Sequence, residues 1–248
     1  MCPLTLGNPS GEVPGEFTQL LKFLASRPQP AVVHYAAEGS RVELSGRVLA
    51  NWATKLIGLF SEEPGLSPGD PVVLDMAVHW KAAAAALAVG AMGAELTLGP
   101  AGEEEPALVI TDRPGGWVTG TALGQAELAA VSHGMLDSSF AEAGGDPLPA
   151  WVVDVSAEVR QQPDQLMVPL PTVPLPPMPE QEAAAAGPLL VTDWQAHSVP
   201  QMLGTWAAGG VVVLFDAEPG GEVWQQMRRN EGLSGGPGGA GTTPDETD

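Results

Sequence analysis

The chain predicts an α/β fold, with two similar βαβ-containing subdomains and mostly parallel sheets, and three observations carry that expectation. The first is Pro68 to Pro100, which reads as a turn, a short apolar strand, an alanine-rich helix and a second strand. Strand, helix and strand within about thirty residues is the size of one βαβ unit, whose two strands lie parallel in one sheet. The second is that Leu189 to Phe215 lies over Val72 to Leu98 without a gap. The opening apolar triplets coincide, Gly93 falls on Gly210, and the closing strands coincide; identity is low, so it is the pattern that repeats. The third is Ala107 to Thr111, a further apolar strand ended by Asp112-Arg113-Pro114-Gly115-Gly116.

The elements follow in order. Residues 1–15 are rich in glycine and proline and precede a helix marked by the spacing of Phe17, Leu20, Leu21 and Leu24. Arg27-Pro28-Gln29-Pro30 ends that helix. Ala31 to Tyr35 and Val42 to Leu44 read as a hairpin around Glu38-Gly39-Ser40-Arg41. Ser45 is placed to cap a helix with apolar positions Val48, Leu49, Trp52, Ala53, Leu56 and Leu59. In the first βαβ unit, Gly93 is placed to end the helix Ala82 to Met92, because glycine enters the left-handed conformation at little cost. Short helices are expected within Gly124 to His133 and over Trp151 to Arg160, and another over Gly221 to Asn230. From Ser138 to Pro149 and from Gln161 to Pro188 the chain lacks periodicity, and VPLPTVPLPPMP favours extended polyproline geometry. The expected organisation is a first α/β subdomain over 1–137, an acidic and proline-rich connection over 138–188, a partial second α/β subdomain over 189–231, and a disordered tail over 232–248.

Composition narrows the function. The formal net charge is −20, and residues 99–188 alone carry 2 basic and 13 acidic side chains. No basic stripe offsets this, so nucleic acid and anionic lipid surfaces are poor partners. The single cysteine, Cys2, excludes an intrachain disulfide and a cysteine-based zinc site. No apolar run is long enough to span a bilayer and no signal peptide is recognisable, so a cytoplasmic location is expected.

The residues Val42-Glu43-Leu44-Ser45, Gly65-Leu66-Ser67-Pro68-Gly69-Asp70, Ala88 to Ala94 and Val109-Ile110-Thr111-Asp112 occur in an order that resembles the N-terminal region of the adenylate-forming superfamily, which includes acyl-CoA synthetases and nonribosomal adenylation domains. Leu189 to Asn230 is similar to a later segment of that family: strand, pocket-lining loop, helix, Gly-Gly turn, strand. The resemblance covers residues 17–112 and 189–231 and implies a sheet framework built from two similar subdomains. It also implies an acyl or small-molecule carboxylate ligand near the loop after Leu189 to Val191, where Trp194 and His197 are the candidate substrate-binding residues. The plain alternative is that Trp194 packs on a sheet edge and His197 begins a helix.

The family's chemistry needs a Ser/Thr/Gly-rich loop whose backbone N–H groups hold ATP phosphates. Between the matched regions this chain has Leu170 to Glu180, with many prolines, no glycine and no lysine. The family's later nucleotide-binding segments and its C-terminal domain have no counterpart in this sequence. The resemblance therefore implies no catalytic, cofactor-binding or metal residue here.

His34, His79, His133 and His197 share no metal-ligand spacing, no G-x-S-x-G supports a serine nucleophile, and Gly235 to Thr243 follows no strand and holds no lysine. Glu103 to Glu105 is most simply a solvated loop. Three readings remain open: a catalytically incomplete relative that keeps a binding cleft, a protein-interaction module using Pro169 to Pro179, or an enzyme completed by a partner chain.

Overall fold

The computed structural model describes residues 13–99, 105–177 and 187–233. The chain begins with helix α1 (Phe17–Ala25), followed by strands β1 (Pro30–Ala36) and β2 (Arg41–Ser45) and helix α2 (Gly46–Glu62). The Ser45 hydroxyl accepts from the Val48 N–H at 3.3 Å, satisfying one of the orphan donors at the start of α2. The first βαβ unit is β3 (Pro71–Asp75), α3 (Trp80–Ala91) and β4 (Glu95–Leu98). Then come β5 (Leu108–Thr111), α4 (Pro114–Thr119), β6 (Glu127–Ala130), β7 (Val153–Asp154) and the single turn α5 (Val155–Glu158). The second βαβ unit is β8 (Leu189–Val191), α6 (Ser198–Ala207) and β9 (Val212–Asp216), and α7 (Glu222–Asn230) closes the described chain.

Among the described residues the strands form two sheets, in the orders β2-β1-β9-β8 and β4-β3-β5-β6-β7. All pairs within them are parallel except the hairpin β1/β2. The two βαβ units therefore occupy different sheets. The N-terminal hairpin joins the sheet of the second unit, where Val32 aligns with Val212 and Tyr35 with Phe215. Val32, Val33 and Tyr35 are apolar on both faces of β1 and need cover on both, which a central strand receives; β2, with Arg41 and Glu43 exposed, stands at the edge.

Helix α3 touches β3 and β4 of one sheet, β1 of the other, and α1, α2 and α6. Eleven of its residues, Trp80 to Val89 and Ala91, are buried, which is why the sequence is apolar all round rather than striped. Gly93 takes φ 77° just past its end. At the matching place after α6 the left-handed residue is Gly209, with φ 79°, and not Gly210 as the aligned pattern suggests. Gly210 is needed for a different reason: a Cβ there would lie 2.7 Å from Thr205 Cγ2, because its N–H donates to the Thr205 carbonyl at 2.7 Å.

Three local expectations are corrected. The stretch expected to be helical within Gly124 to His133 contains β6, whose Leu128, Ala129 and Ala130 are fully buried beside β5. Pairing and burial outweigh the helix propensity of alanine and leucine. In Trp151 to Arg160, Val153 pairs with Ala129, and the Asp154 carboxylate then caps a helix that is only one turn long before a 3-10 turn follows. Val48 faces solvent, and the buried face of α2 is built by Leu49, Ala53, Leu56, Ile57 and Phe60 instead. The acidic Glu103 and Glu104 and residues 234–248 of the tail lie outside the described residues.

Candidate functional site

Trp194 lies in the loop after β8, and its indole N–H is shared between the carbonyls of Met76 and Ala77, at 3.0 and 3.2 Å. Those carbonyls belong to the loop after β3, in the other sheet, so Trp194 ties the two halves together at the carboxyl ends of their strands. Open α/β sheets bind ligands in this position. Beneath the ring is a cavity of about 580 Å³, lined by the C-terminal half of α3, the edge strand β4, and the start of α6. Phe17 forms part of its floor, lying so close to Gly90 that a Cβ there would sit 2.4 Å from the ring.

The extended segment Leu170 to Pro177 forms another wall, through Val173 and Pro176. It is held in place by two backbone hydrogen bonds: the Phe17 N–H donates to the Val173 carbonyl (3.1 Å), and the Leu175 N–H donates to the Gly15 carbonyl (2.9 Å). Val173 and Leu175 are half-buried against the core and Pro171 contacts the Gly93 turn. The Leu175 amide is thus engaged, and the prolines at 171, 174, 176 and 177 carry no amide to offer a ligand. Residues 178–186 of this connection lie outside the described residues.

Among the described residues that line the cavity there is no histidine, carboxylate, lysine or arginine. Its polar groups are Thr97, Gln195 and backbone. Such a surface suits an apolar ligand and offers no charged side chain for acid–base chemistry or for a phosphate. Of the two candidate substrate-binding residues, Trp194 lines the cavity. His197 is the exposed N-cap residue of α6, makes no capping bond with its side chain, and is not part of the lining.

Three of the histidines, although far apart in sequence, meet in a second cluster near the strand ends. His34 of β1 stands edge-on to His79 with ring centres 4.5 Å apart, and His79 stacks on His133 at 4.7 Å. His133 Nε2 lies 2.9 Å from Asp112 Oδ2, which also accepts from the Ala77 N–H at 2.9 Å. His79 Nδ1 accepts from the Lys81 N–H and so caps α3. Burial lowers the pKa of His34 to about 4, helped by the neighbouring His133 charge, and burial drives His79 lower still. The bond to Asp112 raises His133. Burial opposes ionisation of Asp112, yet the bonds from His133 and Ala77 bring its carboxyl below the ordinary value. Among the described residues no group of three or more His, Cys, Asp or Glu is placed to hold a metal ion.

Lys81 is 5 % exposed, and its ammonium donates to the carbonyls of Ser132 (2.7 Å) and Gly134 (2.8 Å) beside the faces of Trp52 and Trp80. Burial lowers its pKa to about 8. It pins the His133 loop to the start of α3. Each of these histidines has an ordinary local explanation in sequence, a strand residue, a cap and a loop residue; only the sheet arrangement brings them together.

The fold is that of the N-terminal part of acyl-CoA synthetases and other adenylate-forming enzymes. An acyl-CoA synthetase of Brucella canis superposes with a TM-score of 0.64 at 14% identity, over 92% of this chain and 47% of that one. Acetoacetyl-CoA synthetase from Streptomyces lividans gives 0.64 at 14% identity, over 86% and 40%. The N-terminal domain of FACL13 from Mycobacterium tuberculosis gives 0.58 at 11% identity, over 88% and 61%. In sequence, a TIGR03089 family protein of Mycobacterium tuberculosis is 33% identical over 141 residues, which are 56% of this chain and 56% of that protein. The chain thus spans about half the length of the relatives it matches. No protein-family profile matches it. Among the described residues no helix is long and apolar enough to cross a membrane.

Proposed function

We propose that this protein is a catalytically incomplete member of the adenylate-forming fold that binds a small apolar or acyl-bearing carboxylate in the cavity under Trp194. The observation that carries the reading is that cavity: about 580 Å³, within the range of small-molecule sites, and without a charged side chain among the described residues of its lining. The proline-rich segment supports the same reading. Where the resemblance leads one to expect a phosphate cradle, residues 170–177 form a wall whose backbone groups at Val173 and Leu175 are bonded to Gly15 and Phe17. Burial of these side chains leaves less of the segment available to an aromatic groove on a partner.

The test is a titration of a carboxylic-acid series followed by tryptophan fluorescence, with ATP–pyrophosphate exchange run on the same protein. Saturable binding is expected, weakened about tenfold or more by Trp194→Ala and by Val199→Trp, which fills the cavity, and without exchange activity. Robust exchange by this chain would refute the catalytic half of the proposal. Binding that is indifferent to both substitutions would refute the cavity half.

A further inference from the structure

A second hollow, also of about 580 Å³, lies between α1, α2 and the loop at Asp164 to Leu166. Its floor is Leu21, Ala25, Val48 and Ala50, and Leu166 forms one end. Val48 and Leu166 are 40% and 42% exposed, and the adjoining Met167 is 73% exposed, so large apolar side chains gather here in contact with water. Arg47 to Thr54 line it along α2, a length of about 10 Å at the helical rise per residue.

The charges at the rim are arranged asymmetrically. At the Leu166 end, Asp164 is paired with Lys55 at 2.9 Å. Lys22 and Arg47 also line the groove, and among the described residues neither side chain forms an ion pair or hydrogen bond. In a protein with 10 basic against 30 acidic side chains, two unpaired cations beside one apolar groove need a reason. Arg47 is placed against the local field as well. It stands in the first turn of α2, where the helix dipole disfavours a cation, and no acidic residue in that turn compensates. The backbone donors there are already used: Gly46 N–H by Gln29, Arg47 N–H by Arg27, and Val48 N–H by Ser45. An anion would therefore be held by the two side chains and not by the helix end.

We propose that this groove binds a single-chain amphiphile with an anionic head, an alkyl carboxylate of medium length, its head at Lys22 and Arg47 and its chain running over Val48 towards Leu166. The site is separate from the cavity under Trp194, and neither proposal depends on the other.

The test uses the full chain, isotope-labelled, titrated with sodium decanoate and followed by amide resonances. Saturable shifts are expected at Lys22, Ala25, Arg47 and Asn51. The double substitution Lys22→Glu with Arg47→Glu is expected to weaken binding at this groove at least tenfold, as is Val48→Trp, which fills it. Decyltrimethylammonium should bind at least tenfold more weakly than decanoate, and Val199→Trp should leave the groove unaffected. These substituted positions are exposed or half-buried, and the thermal transition of each variant checks that it is folded. Unchanged affinity in the charge-reversed protein, equal affinity for the cationic amphiphile, or shifts confined to the Trp194 cavity would overturn the proposal. So would concentration-dependent changes at the same resonances without decanoate, which would make this face a contact between copies.

Discussion

His34 is 3% exposed and its Nε2 has no hydrogen-bond partner among the described residues, so the ring is held neutral by its surroundings. The groups that bear on it are His79, His133 and Glu38, with Asp112, Asp216 and Lys81 acting through His133. Because the folded pKa of about 4 lies below that of the unfolded chain, the unfolded chain takes up this proton first as pH falls. His34 therefore contributes stability above about 6.5 that is lost as pH drops towards 4, and His79 acts in the same direction. His133, raised, has the opposite sign: its contribution is full below its unfolded value and is lost as pH rises through its folded one. The two buried rings outweigh it, and the melting temperature is expected to fall between pH 7 and 4. For His34 alone the loss is on the order of 3 kcal/mol. His34→Phe keeps an aromatic ring against His79 and should flatten that fall when melting is followed across the pH series; an unchanged slope would count against the assignment.

At the scale of elements, the two βαβ units end their helices with the same device at different positions. Gly209→Ala is expected to cost about 1–2 kcal/mol, because an L side chain is strained at φ 79°. Gly210→Ala should also destabilise, but through the collision with Thr205, so that it is partly relieved by Thr205→Ser, which removes the Cγ2 methyl that a new Cβ meets at 2.7 Å. Gly115→Ala in α4, where a Cβ meets nothing within 4 Å and φ is ordinary, serves as the control and should be neutral to slightly stabilising. Urea denaturation of the four proteins decides it: equal losses at 209 and 115 would contradict the left-handed requirement. The units themselves were legible in sequence because their periodicity and turn residues are local. The strand β6 was not, since an Ala-Glu-Leu-Ala-Ala run favours helix until β5 and β7 lie on either side of it.

For the whole molecule, the decisive contacts are those between the first and last thirds of the chain. Trp206, fully buried on α6, donates its indole N–H to the Ala31 carbonyl at 3.0 Å. Arg27 donates to the Gly209 carbonyl at 2.7 Å, and the Tyr35 hydroxyl donates to Glu231 at 2.7 Å. These hold the N-terminal hairpin in the sheet of the second unit. Trp206→Phe leaves a carbonyl unpaired and a void, and is expected to cost about 2–4 kcal/mol, read as a lowered denaturation midpoint. A loss below about 0.5 kcal/mol would mean that neither the indole bond to β1 nor the volume lost from the ring holds the two segments together.

The amino-acid order alone determined the fold class, the position of each βαβ unit, the cap at Ser45 and the buried character of α3, because each rests on neighbours a few residues away. Pairing of β1 with β9, the meeting of three histidines, the wall formed by residues 170–177 and the hollow beside Val48 were decided only by the tertiary structure. They join segments as far apart as Ala31 and Trp206, and the free energy that fixes such partners comes from surface buried between the segments, which no local pattern records.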